Sequence, residues 1–258
     1  WQSISRAVAE TRRADRYDGL SARELAARAE IPRVELFEVV GSTMDEAHAF
    51  AADGAEAGTL VVADSQAAGR GRNGKRWTSP PRGVWMTLIE RPADSSALDV
   101  LSLRIGLAAA RALDTFAAEP VRVKWPNDLY VDDAKLAGVL VEARWRGDRL
   151  DWVAIGLGVN MDPPPGQSGA AVLEAGTSRT DVIAALLTEL RAATAMLGVL
   201  TGDEMDEYAA RDLARGRLCT EPMRGRVVGI AATGELLVEI ADSVARVRSG
   251  SLVLQKAD

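Results

Sequence analysis

The 258-residue chain contains one cysteine, Cys219, and one histidine, His48. A lone cysteine excludes an internal disulfide framework and fits a reducing cytoplasm. A lone histidine excludes a His metal cluster, and any imidazole chemistry would have to run through His48. Its place in an alanine-rich helical stretch reads instead as a packed or solvated side chain. No apolar run approaches the roughly 18 residues that mark a membrane span. The opening segment WQSISRAVAETRRADR lacks the apolar core of a secretory signal, and the sequence does not begin with Met. Positive charge is also in short supply. The 31 Lys and Arg against 37 Asp and Glu leave a net charge of −6, which argues against nonspecific nucleic-acid binding because neutralising phosphates needs a basic surface. The composition, 47% hydrophobic and 26% charged with no internal repeat, is that of a soluble globular protein, long enough for one large domain or a medium and a small one.

Ser21 and Glu24 make a capping box for a helix over 21–31, which Pro32 stops. ELFEVV (35–40) and TLVVADS (59–65) are expected strands. Between them Ser42 or Thr43 caps a helix with Asp45 and Glu46 in its first turn and Gly54 after its end. Residues 69–82 read as loop, 83–90 as strand, 97–117 as a long helix and VRVKW as a short strand. LAGVLVEARW and LDWVAIGLGV, joined by Arg146-Gly147-Asp148-Arg149, read as a β-hairpin. Residues 162–169 read as loop, and 179–198 and 203–215 as helices. From about residue 218 short strands take over. The pattern predicts an α+β chain with a mostly antiparallel sheet, divided into an N-terminal helical segment (1–35), a main domain (36–217) and a small all-β domain (218–258).

Gly69-Arg70-Gly71-Arg72-Asn73-Gly74 satisfies G-x-G-x-x-G, the dinucleotide fingerprint, but the sequence then runs Lys75-Arg76-Trp77-Thr78-Ser79-Pro80-Pro81, which cannot open the required helix. The cations are more informative. Arg70, Arg72, Lys75 and Arg76 crowd into a glycine-rich loop of an acidic protein, where glycines let backbone wrap a ligand and arginines fork onto phosphate or carboxylate oxygens. Such a loop is expected to move when empty and to order around an anion. A second string, Lys124-Trp125-Pro126-Asn127-Asp128, precedes Lys135. Asn127 and Asp128 can offer oxygens to a magnesium ion, and the two lysines can offset phosphate charge; an ordinary hairpin turn is the plainer alternative. A third, Gly156-Leu157-Gly158-Val159-Asn160, ends an apolar strand with glycines that mark either a bulge or close approach of a ligand.

Taken in order, and preceded by Gly41-Ser42-Thr43 and Gln66, these three strings closely resemble the biotin–protein ligase family over roughly residues 36–257. The resemblance implies a catalytic domain akin to class II aminoacyl-tRNA synthetases and a C-terminal barrel of the Src-homology-three type. It implies a cytoplasmic enzyme that uses ATP, Mg²⁺ and biotin to form biotinyl-adenylate, then transfers biotin to a lysine of a biotin carboxyl carrier protein such as that of acetyl-CoA carboxylase. By position, Ser42, Thr43, Met44 and Gln66 would meet the biotin ring, with Met44 standing where bacterial relatives often have a polar Asn. Arg70, Gly71 and Arg72 would close over the biotin carboxylate and adenylate phosphate. Gly138 and Gly158 would admit the ligand, and Lys135 would contact the reacting groups. Arg70, Arg72, Trp77, Lys124, Asn127, Asp128 and Asn160 would form the ATP side, with Asn127 and Asp128 as metal ligands. Lys135, Arg72 and Asp128 are the expected catalytic residues.

Some relatives carry an N-terminal winged-helix DNA-binding domain. Gly19 to Ala29 superficially resembles one of its helices, but a recognition helix and wing need more chain than precedes residue 36, so DNA binding is not expected. A homodimer is compatible with the family. A lipoate or octanoate ligase of the same fold and a non-catalytic biotin-binding regulator are the rival readings.

Overall fold

Burial alternates along β5 (Thr59–Gln66). Leu60 and Val62 enter one core, Val61 and Ala63 a second core on the opposite side, and all four are buried. The same split runs through β6 (Val84–Glu90), where Val84, Met86 and Leu88 face the first core and Ile89 the second. Such a sheet must be covered on both faces. The computed structural model, which describes residues 11–163, 166 and 169–255, shows that it is.

Among the described residues the main sheet has eight strands in the order β1 (Arg12–Arg13), β4 (Arg33–Val40), β5, β6, β10 (Arg149–Val159), β9 (Ala134–Arg146), β8 (Asp128–Val131) and β7 (Arg122–Lys124). It is mixed: β4 and β5 run parallel and the other neighbours antiparallel. Helices α1 (Ala22–Arg28), α3 (Leu98–Asp114) and α4 (Arg179–Ala195) contribute to the larger core, whereas α2 (Thr43–Ala52) covers the other face through Ala47 and Ala51. Ser21 caps α1 with the reciprocal Glu24 contact, as expected. Helix α5 (Gly202–Arg211) is tied to α3 by Arg104, which is 1% exposed and reaches both Glu204 carboxylate oxygens, at 2.5 and 3.0 Å. Five short strands, β11 (Leu218–Glu221), β12 (Gly225–Ile230), β13 (Leu236–Ile240), β14 (Ser243–Val247) and β15 (Val253–Leu254), form a separate antiparallel sheet in the order β14-β13-β12-β11-β15.

Some expectations need amending. Residues 12–21 hold three two-residue strands as well as the loop before α1. β1 adds to the main sheet, while β2 (Arg16–Tyr17) and β3 (Leu20–Ser21) pair with each other. DLYV, for which the sequence predicts no element of its own between two turns, is strand β8: the Asp132-Asp133 turn, with Asp132 at φ 51°, folds it onto β9. The opening segment before Thr11 lies outside the described residues, as does part of the 162–169 loop. No described helix is long and apolar enough to cross a membrane.

Candidate active site

The β8–β9 hairpin positions one charge pair. Asp128 pairs with Gly138 and Leu129 with Ala137, but the register then shifts so that Tyr130 pairs with Lys135, leaving Leu136 as the extra residue of a bulge. Directly paired residues of an antiparallel ladder share a face, so the bulge turns Lys135 to the side of Asp128 while Leu136 is buried. Lys135 Nζ donates to Asp128 Oδ1 at 2.7 Å and lies 4.8 Å from the centre of the Trp77 ring. Asn127 Nδ2 donates to the Val139 carbonyl at 2.5 Å, fixing the turn.

The glycine-rich loop is a small hairpin of its own. Trp77 N–H donates to Gly69 O at 2.9 Å and Gly71 N–H to Lys75 O at 2.7 Å, with a 3₁₀ turn over Arg72–Gly74 and positive φ at Asn73 and Gly74. Three of its cations already have protein partners. Arg70 Nη2 lies 2.6 Å from Asp45 and 3.5 Å from Glu142, Lys75 Nζ donates to Ser251 Oγ at 3.1 Å, and Arg76 donates to the Ala67 carbonyl at 3.1 Å. Arg72, at the tip, makes no ion pair among the described residues. Burial lowers its pKa, opposed by the nearby Asp128 carboxylate. Burial likewise lowers that of Lys124, again opposed by Asp128.

Opposite the loop lies a polar floor. Ser42 caps α2, its Oγ accepting from Met44 N–H at 3.3 Å. Gln66 Oε1 accepts from Thr43 N–H at 2.8 Å and from Thr43 Oγ1 at 3.1 Å. Gln66 Nε2 donates to Ser79, and Thr87 donates to Thr43 Oγ1 at 2.9 Å. Floor, loop and hairpin enclose a cavity of about 330 Å³, whose remaining wall is residues 250–253, beside and within β15. Six cations line it, namely Arg70, Arg72, Lys75, Arg76, Lys124 and Lys135, with Asp128 as the sole acidic residue among the described lining. Such a cavity suits a polyanion held against a mixed polar and apolar body.

The structure gathers Ser42, Thr43, Met44, Gln66, Arg70, Gly71, Arg72, Trp77, Lys124, Asn127, Asp128, Lys135, Gly138 and Gly158 around this cavity. Asn160 is not brought to it: buried, it donates to the Lys135 carbonyl at 3.2 Å and so braces the strand from behind. Gly138 and Gly158 serve a different neighbour from the one expected. A Cβ on either would stand 2.9 and 2.6 Å from the Trp77 indole, so in this structure they make room for that ring. Gly156 does the same for Met44, whose Cε an added Cβ there would meet at 2.8 Å. Sequence reasoning missed Thr87, Leu140 and residues 250–253. Thr87 left a signal, a lone hydroxyl within the apolar strand VWMTLIE; residues 250–253 left none, because only long-range packing brings them here. His48, as expected, is a packed side chain. Trp152 Nε1 donates to His48 Nδ1 at 3.0 Å, so the proton sits on Nε2, which donates to Glu142 at 2.9 Å.

Residues 36–160 match the model of the biotin/lipoate A/B protein ligase family. The chain is 32% identical over 235 residues to the bifunctional ligase/repressor BirA of Bacillus subtilis, covering 84% of this chain and 72% of the relative. It is 30% identical over 242 residues to the biotin–[acetyl-CoA-carboxylase] ligase of Mycobacterium tuberculosis, covering 86% and 88%. Its fold is that of the biotin protein ligase from Aquifex aeolicus in complex with biotin and ATP, at a TM-score of 0.68 and 23% identity over 85% of this chain and 97% of the other. The chain belongs to the biotin–protein ligase family.

Proposed function

We propose that the cavity activates biotin with ATP and delivers it to a lysine of a biotin carboxyl carrier protein. A biotin carboxylate oxygen attacks the α-phosphorus, the bond to pyrophosphate breaks, and biotinyl-adenylate forms. The lysine amine then attacks the acyl carbon, AMP leaves, and an amide remains. The first step brings anions together, and the observation that carries the reading is the set of six cations facing a single carboxylate across one cavity.

Within it, Ser42, Thr43 and Gln66 hold the polar ring of biotin while Met44 packs against its apolar part. Gly71 lets the loop close, and Arg72 and Lys135 offset charge on the carboxylate and α-phosphate. Trp77, Lys124 and Asn127 face the nucleotide. Asp128 holds Lys135 until an anionic substrate draws the ammonium away; the carboxylate is then available to orient the acceptor amine and take its proton. Magnesium fits the donor set. One carboxylate, Asp128, and the neighbouring Asn127 carbonyl are few protein oxygens, as befits an ion that keeps its waters and leans on phosphates, where it would neutralise charge. Residues 36–217 form the catalytic domain, of the class II aminoacyl-tRNA synthetase type, and 218–258 a barrel of the Src-homology-three type.

The test incubates the protein with biotin, MgATP and a carrier domain, and weighs the carrier. A gain of one biotin, lost in Lys135→Ala and absent with lipoate in place of biotin, is expected. No transfer by folded, ATP-binding protein would overturn the assignment.

A further inference from the structure

Arg70 stands in the anion-binding loop, yet its guanidinium points at protein carboxylates. Asp45, from the first turn of α2, lies 2.6 Å away and Glu142, from β9, 3.5 Å away. Glu142 is itself held in place, accepting from His48 at 2.9 Å and from Arg144 at 3.2 Å, and His48 in turn accepts from Trp152. Arg70 also begins the loop's ladder, bridging to Arg76. The root of the loop is thus bolted to a helix and to the central sheet, while Arg72, two residues on, has no carboxylate partner among the described residues and faces the cavity.

We infer that Arg70 is a positioning residue, and that Asp45 and Glu142 are its holders, keeping the loop closed so that Arg72 meets the ligand. This rests on the proposed function and assigns to Asp45 and Glu142 a part in retaining the activated intermediate. The two possible roles of Arg70 predict opposite signs. If Arg70 gripped the adenylate directly, removing the two acids would free a guanidinium, take negative charge from the cavity rim, and tighten binding. If Arg70 anchors the loop, removing them loosens it.

The measurement is the release rate of biotinyl-adenylate made in place from biotin and MgATP, in wild type, Arg70→Gln, the pair Asp45→Asn with Glu142→Gln, and all three together. Release about three- to fivefold faster is expected for Arg70→Gln and for the pair, the scale of a partly exposed ion pair. The triple variant should be no worse than Arg70→Gln, since all three changes break one contact. Far-ultraviolet circular dichroism and the thermal midpoint of the acid-free pair should stay near wild type, which a general loss of structure would not allow. Slower release from the acid-free pair, or effects that multiply in the triple variant, would overturn the inference. Should Glu142→Gln unfold the protein, Asp45→Asn alone, at an exposed helix start, must still speed release, and unchanged release there would equally overturn it. Wild type that makes no adenylate would overturn the proposed function itself, an outcome visible before any variant is compared.

Discussion

Replacing Gly158 by alanine tests whether the Trp77 indole rests where the structure places it. The added Cβ would sit 2.6 Å from Trp77 Nε1 and 2.9 Å from Cε2. Comfortable carbon contacts begin near 3.5 Å, so the ring must retreat by about 1 Å. The ring also covers Gly138, where an added Cβ would meet Cζ3 at 2.9 Å, so it lies flat over both glycines and is pushed off Gly158 by lifting into the cavity. Overpacking costs about 1–3 kcal/mol. Trp77 is only half-buried and sits on a loop, so the lower end applies, about 1 kcal/mol, together with weakening of the Lys135 contact to its face. In a chain of this size that is a melting temperature lower by about 2–4 °C. Function should suffer more than stability, because the displaced indole takes space from a cavity of about 330 Å³. Thermal unfolding and pyrophosphate release with biotin and ATP measure the two effects. Removing the indole as well, by Trp77→Ala, should make Gly158→Ala thermally neutral. An equal loss of melting temperature in both backgrounds would place the strain in β10 itself, and wild-type pyrophosphate release from Gly158→Ala would refute the argument.

Glu204 carries an acid-sensitive part of the stability. Burial would raise its pKa, but hydrogen bonds from Arg104 and the Thr201 cap outweigh that and hold it below the ordinary 4.5. A depressed folded pKa stabilises fully above the unfolded value and ceases to do so as pH falls through the folded one, so denaturant midpoints taken from about pH 7 to about pH 3 should fall less steeply in Glu204→Gln than in wild type, from a lower start. Parallel acid limbs would disprove the linkage. Cys219 is buried, its sulfur donating to the Met223 and Gly225 carbonyls, and burial pushes its thiol up. A colorimetric disulfide reagent should label it only after denaturation, and prompt labelling of the folded protein would contradict this.

Much of the architecture was legible because local signals agreed with one another. Ser21 and Glu24 announced α1, the short apolar runs announced β4, β5, β6 and the long hairpin, and Gly147, at φ 61°, made the tight turn. What failed locally was short. Strands of two residues, such as β1 and β2, carry no periodicity, and DLYV sat between turn residues strong enough to hide it. The site was legible as residue types and only partly as roles. Arg70 and Arg72 look equivalent in sequence, and only the positions of Asp45 and Glu142 separate them. Gly158 was correctly marked as a close approach, but the approaching group is a side chain from 81 positions earlier in the chain. Asn160 carried a polar signal that turned out to serve the backbone of Lys135.

The bulge at Leu136 gives the reaction centre a parity. Substitution can tune Asp128 and Lys135 by degrees, whereas closing the bulge with the chain length unchanged, so that Tyr130 paired with Leu136, would exchange the two sides of the strand beyond it. The ammonium would then face the layer of Leu129 and Ala137, where an unpaired charge is not tolerated, and a leucine would face Asp128. Deleting Leu136 would instead leave Lys135 opposite Tyr130, on the side of Asp128, so it is the pairing across the bulge and not the length of the strand that fixes which way the ammonium faces.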